Sequence, residues 1–213
     1  TTYSMKGTLS EGHIYDYLII DEASQVDLAT GVLAFSCARN AIIVGDQHQL
    51  SNVLPSDDKR IADEIWNKYN FDECYHFATH NILTSVTELW NNIPSVLLRE
   101  HYRCHPKIAN FFNQKFYNGQ LIVMTEDHGE PNVLSMYCTA PGNHARNHMN
   151  QRQIDVVQKE VLPVLKERGF CDIGIIAPYR DQVAAIKRQF GNAYEVATVH
   201  KFQGREKDAI VLV

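Results

Sequence analysis

Seven short apolar, β-branched runs punctuate the chain, at 17–20, 41–44, 95–98, 133–137, 173–177, 196–199 and 209–213. Most are apolar on successive residues, which predicts strands covered on both faces by helices. Helical patterns fall between them. The stretch 27–37 comes first; 61–69, 85–90 and 106–116 follow, the last opening on Pro106, a residue suited to a first helical turn. In 153–168 the apolar Ile154, Val157, Val161 and Leu165 share a stripe that Gly169 caps, and Pro163 predicts a kink late in it. A helix over 180–190, ended by Gly191, completes the set. Strands alternating with helices make the expected fold α/β with a mostly parallel sheet. Loops are expected at 51–59 and 139–150.

Several of these runs end in polar residues that carry chemistry. Tyr17-Leu18-Ile19-Ile20 leads straight into Asp21-Glu22-Ala23-Ser24-Gln25. Open α/β sheets bind ligands at the carboxyl edge of their strands. There the first acid of a nucleotide hydrolase holds Mg²⁺ on the phosphates, and a second can orient the attacking water. An acidic helix cap after a strand would look the same. Ile42-Ile43-Val44-Gly45 leads to Asp46-Gln47-His48-Gln49-Leu50, which puts Asp46 and Gln49 beside the acidic pair if the strands are parallel. Gly45 would allow close backbone approach, and a plain turn with a capping Asp is the other reading. Leu98-Arg99-Glu100-His101-Tyr102-Arg103-Cys104-His105-Pro106 sets an aromatic face beside a guanidinium ahead of a helix. An ordinary surface pair has the same look. Ile173 to Gln182 is a strand that breaks at Pro178, and Val196 to Asp208 passes from a strand through a Gly-containing loop.

Composition narrows the class. A chain of 213 residues, 45% hydrophobic and 21% charged, has the balance of an ordinary globular protein with ample core. The net charge of −5 means that any nucleic-acid binding must be local, through a groove. The five cysteines contain no Cys-x-x-Cys, which argues for reduced thiols in a cytoplasmic or nuclear setting and against a zinc site. No run is long enough to cross a membrane as a helix. The chain opens on Thr1 and closes inside an apolar run, so both ends look cut from something longer.

Taken in order, DEASQ, VGDQHQL, HYRCHP, IAPYRDQ and TVHKFQGREKD resemble motifs II, III, IV, IVa and V of superfamily 1 helicases. The likeness is to the 5′→3′ branch that contains the nonsense-mediated-decay helicase and the flap-trimming helicase-nuclease. The resemblance implies an α/β fold of incomplete RecA-like parallel sheets with flanking helices, of P-loop NTPase type. On that likeness, residues 1–95 would be the later part of a first RecA-like domain and 96–213 the earlier part of a second. Its implied activity is ATP-dependent translocation on single-stranded DNA or RNA, with ATP and Mg²⁺. Asp21 would coordinate Mg²⁺, Glu22 would activate water, and Gln49 would sense the γ-phosphate, with Asp46 linking that sensing to the nucleic-acid groove. Tyr102 would stack on adenine and Arg103 would reach the γ-phosphate. Glu206 would take the ribose, with Gln203 and Gly204 lining the cleft. Tyr179, Thr198 and His200 would face the single strand.

The chain also departs from that family. No G-x-x-x-x-G-K-[ST] occurs, and the last arginine motif is missing. Cys104 stands where relatives commonly carry Met, and Ser51-Asn52 where many carry Gly-Pro or Pro-Pro. The expectation is an excised fragment that does not turn over ATP alone, the rest of a parent chain supplying the phosphate loop and the arginine motif. The alternative is an ATPase-dead module that binds nucleic acid or protein.

Overall fold

The computed structural model describes residues 2–10, 12–69, 71–142 and 144–213. The expected loop at 139–150 includes Asn143, which lies outside them. The chain divides into two compact units, Thr1–Val133 and Leu134–Val213. The boundary expected at 95/96 falls inside the first unit, and residues 96–133 group with those before them.

In the first unit, β1 (Tyr15–Ile20) and β2 (Ala38–Ile43) pair in parallel, Ile20 opposite Ile43, and α1 (Leu28–Phe35) connects them. The Asp27 carboxylate caps α1, accepting from the Thr30 amide at 2.8 Å and the Thr30 hydroxyl at 2.7 Å. Helix α2 (Ser56–Tyr69) begins five residues before the expected 61, because Asp57 and Asp58 suit the positive end of a helix. Helix α3 (Ile82–Leu89) starts at a reciprocal cap in which Asn81 accepts from the Thr84 amide and Thr84 accepts from the Asn81 amide. Leu18, Ile20, Ala23, Leu28, Ala34, Ile82, Leu83 and Val86 form the core. Tyr17 and Ile19, on the other face of β1, are each 66% exposed. The expectation of strands covered on both faces therefore fails for β1, whose side chains alternate between a packed face and an open one.

The same unit holds β3 (Glu100–His101), α4 (Pro106–Phe116) and β4 (Ile122–Val123), with β3 and β4 parallel. The buried Asn113 side chain clamps Leu121 through both its amide N–H and its carbonyl, at 3.0 and 3.1 Å. The runs at 95–98 and 133–137 are not strands. An apolar run becomes a strand only where another backbone pairs with it, and Val96, Leu98 and Met136 are exposed instead.

In the second unit, β5 (Ala145–Arg146) and β6 (Met149–Asn150) make a short hairpin where a loop was expected, turning at Asn147 and His148 with φ of 52° and 38°. Helix α5 (Gln151–Val156), a wider π turn at Val157–Val161 and α6 (Leu162–Glu167) run on continuously. The π turn lies just ahead of Pro163, which has no amide to continue the i→i−4 ladder. Strand β7 (Ile173–Ala177) is central and wholly buried, flanked in parallel by β8 (Glu195–Thr198) and β9 (Ala209–Leu212). Helices α7 (Arg180–Phe190) and α8 (Val199–Phe202) follow β7 and β8. A Cβ on Gly174 would collide with the Phe202 ring, so this strand approaches α8 more closely than any side chain allows. Both units are α/β with small parallel sheets, and β7 meets the both-faces expectation in full.

Candidate functional site

Asp21 and Glu22 leave the carboxyl end of β1 and are exposed. Asp21 Oδ1 accepts the Glu22 amide at 2.8 Å. Glu22 sits in the left-handed region, φ 52° and ψ 41°, which costs a non-glycine residue about 1 kcal/mol. Its Oε2 accepts from Gln25 Nε2 at 3.2 Å. The backbone then dives: Ala23 donates to the Val44 carbonyl at 2.9 Å, and Ala23 and Ser24 are buried. Gly45 permits this crossing, since a Cβ there would stand 3.0 Å from Leu83 Cδ2 and 3.2 Å from the Ala23 nitrogen. The Ser24 hydroxyl is buried with no hydrogen-bond partner among the described residues.

Because β1 and β2 are parallel and in register at Ile20 and Ile43, Asp46 and Gln49 leave the same edge as the acidic pair. Asp46 Oδ1 accepts the His48 amide at 2.9 Å, and Oδ2 accepts from Gln49 Nε2 at 3.3 Å. Gln47 Nε2 donates to Thr87 Oγ1 at 2.9 Å, tying the loop to α3. Tyr102 and Arg103 are exposed on the turn between β3 and α4. The Tyr102 hydroxyl donates to the Glu100 carboxylate, which holds the phenol protonated to higher pH than usual. Burial and the neighbouring Arg103 charge lower the basicity of His101.

In the second unit Ala177 and Thr198 are in register, so Tyr179, Thr198 and His200 leave one carboxyl edge. Tyr179 is exposed at the start of α7 and its ring packs on His148 at 4.9 Å. Thr198 stands just ahead of α8, at its N-cap position but without a side-chain capping bond, and α8 carries the exposed His200. Half-buried Gln203 precedes Gly204, whose φ of 77° makes the turn, and Glu206 is exposed beyond it. The basic residues around Glu206 are engaged: Arg205 pairs with Glu195, and Lys207 Nζ meets Asp172 at 2.7 Å and Glu195 at 3.0 Å.

Residues 80–213 match the family model described as AAA domain. The chain belongs to the AAA domain family. Together with the helicases it is similar to, the match bears out the resemblance to superfamily 1 helicases. This AAA-domain chain is similar to the DNA replication ATP-dependent helicase/nuclease of Gallus gallus, 26% identical over 93% of the chain and 19% of that protein. It is similar to an uncharacterized ATP-dependent helicase of Mycoplasma pneumoniae, 30% identical over 71% of the chain and 14% of the relative. Regulator of nonsense transcripts 1 of Dictyostelium discoideum is 25% identical over 93% of the chain and 16% of its own length. The chain thus spans less than a fifth of each of these three relatives.

Two features of the AAA-domain chain escaped the sequence reading. His105 caps α4 by accepting the Lys107 amide on Nδ1 at 3.1 Å, and its Nε2 lies 3.2 Å from Glu130 and 3.5 Å from Asp127. His105, Asp127 and Glu130 have the spacing of a metal site. With Nδ1 accepting, however, neutral His105 carries its proton on Nε2 and offers no lone pair there. Lys107 Nζ already neutralises Asp127 at 3.2 Å. The group is a helix cap. A hollow of 410 Å³ under α2 is lined by Leu54, Ile61, Ile65, Trp66, Phe71 and Phe77, and none of the sequence-predicted site residues reaches it. Among the described residues no helix is long and apolar enough to cross a membrane.

Proposed function

We propose that this protein acts as an ATP-dependent helicase or translocase, coupling ATP hydrolysis to movement along single-stranded DNA or RNA. The observation that carries the reading is the parallel register of β1 and β2, which brings Asp21, Glu22, Asp46 and Gln49 to one exposed edge. Exposed carboxylate oxygens on Asp21 suit a hard divalent cation, which when bound to the nucleotide neutralises charge on the β/γ-phosphates. Glu22 is the base that orients the attacking water. Gln49 senses the γ-phosphate by hydrogen bond, held in place by Asp46. Arg103 stabilises charge on the transferring phosphoryl and Tyr102 stacks on the base. Glu206 takes the ribose hydroxyl, with Gln203 and Gly204 lining the nucleotide cleft. Tyr179, Thr198 and His200 meet the single strand through stacking and backbone contacts that read no sequence. On this reading 1–95 and 96–213 belong to two RecA-like domains.

The phosphate cradle has no counterpart in residues 1–213, so this stretch by itself is expected not to turn over ATP. The test uses the full-length protein. ATP hydrolysis stimulated by single-stranded nucleic acid should fall by about 100-fold or more in Glu22→Gln, as for loss of a positioned base. Equal rates would sink the assignment. A second reading, a binding module without ATPase activity, draws on the same missing loop and on the net charge of −5. A full-length wild type that binds single strands without hydrolysing ATP would favour it.

A further inference from the structure

We propose that Tyr117 is a positioning residue that couples Gln49 to the turn carrying Tyr102 and Arg103. The proposal rests on the reading of Gln49 and Arg103 as phosphate-facing groups. Tyr117 directly follows α4, and its hydroxyl donates to Asp46 Oδ2 across 71 residues of sequence. That oxygen is the one that accepts from Gln49 Nε2. The orientation of the Gln49 amide therefore depends on a carboxylate that Tyr117 also holds. His48 reinforces the clasp, its ring edge-on to Tyr117 at 5.4 Å and tilted on Phe116 at 6.1 Å.

The contacts continue behind Tyr117. Its ring meets Phe112 at 6.3 Å, and Phe112 meets His101 at 5.3 Å, both pairs close to perpendicular. His101 Nε2 accepts the Cys104 amide at 2.9 Å, which fixes the turn beside Arg103. An unbroken series of hydrogen bonds and ring contacts thus joins Gln49 to the residue next to Arg103. Burial, then the bond to Asp46, pushes the Tyr117 phenol well above the ordinary tyrosine range, so it remains a donor at neutral pH. When the γ-phosphate leaves, Gln49 loses that partner and its amide leans more fully on the carboxylate it shares with Tyr117. Release is thereby felt at α4 and at the turn ahead of it.

The experiment uses the full-length protein and single-stranded nucleic acid. Tyr117→Phe keeps the ring and removes the donor. It should lower kcat for ATP by on the order of tenfold, within the range reported for residues along coupling networks, and leave KM for ATP within about twofold, since it touches no nucleotide. The double variant Tyr117→Phe, Gln49→Ala should be no slower than Gln49→Ala alone, because the two act in series. Wild-type turnover in Tyr117→Phe, or losses that multiply in the double variant, overturn the proposal. A wild type that hydrolyses no ATP instead fails the reading of the site, and the coupling falls with it.

Discussion

Glu22 and Ser24 show at single residues how this edge departs from what its local sequence prefers. Glycine or asparagine would hold a left-handed backbone at less cost than Glu22 does. The strain is borne where an exposed carboxylate faces out beside Asp21. Two positions on, the Ser24 hydroxyl is buried at 1% exposure without a partner. A buried, unpaired polar group costs about 1–3 kcal/mol. Ser24→Ala should therefore raise stability by roughly 1 kcal/mol in urea unfolding, and a loss of that size would mean the hydroxyl is bonded after all. The motif made both residues visible as letters. The left-handed turn and the orphaned hydroxyl follow from how Ala23 is pinned to Val44, which no local pattern encodes.

Among the elements, α4 was legible to the residue, since Pro106 marks its start and the apolar spacing its length. Its cap was not. His105 reads as one of ten histidines until Asp127 and Glu130 fold back onto it from beyond β4. The Gly129 amide and then Lys107 hold the Asp127 carboxyl below the usual carboxylate range. Backbone hydrogen bonding at Glu130 and then the His105 side chain do the same for Glu130. For depressed carboxyl groups the stabilisation is complete above their unfolded pKa and is lost as pH falls through the lower folded one. The stability of the wild type should thus fall on acidification below about pH 4.5, the region where unfolded carboxylates titrate. Asp127→Asn, Glu130→Gln should flatten that slope, and an unaltered slope would show the cap to be incidental. The π turn ahead of Pro163 has the same lesson: the proline forecast a break, while packing of Val157 and Val161 into the core chose a widened turn over a sharp kink.

At the scale of the whole molecule the β1–β2 sheet and the three-stranded sheet around β7 differ in how they are covered. Ile175 in β7 is fully buried, whereas Ile19 in β1 is 66% exposed, although both lie in apolar runs of similar make-up. Truncation to alanine should cost about 2–5 kcal/mol at Ile175 and roughly 0.5 kcal/mol at Ile19. Amide exchange read separately at β7 and β1 would measure each, and comparable costs would mean that β1 is covered in solution. The sequence by itself determined the α/β class, the places where strands end in acid, and the helicase resemblance that the family match and the relatives together bear out. Those depend on residues within a few positions of one another, where periodicity and capping act. Tertiary structure alone decided which faces are buried, which apolar runs find a backbone to pair with, and that Tyr117 reaches Asp46. Each of those depends on which distant segments come to lie side by side, and nothing in a local pattern specifies that.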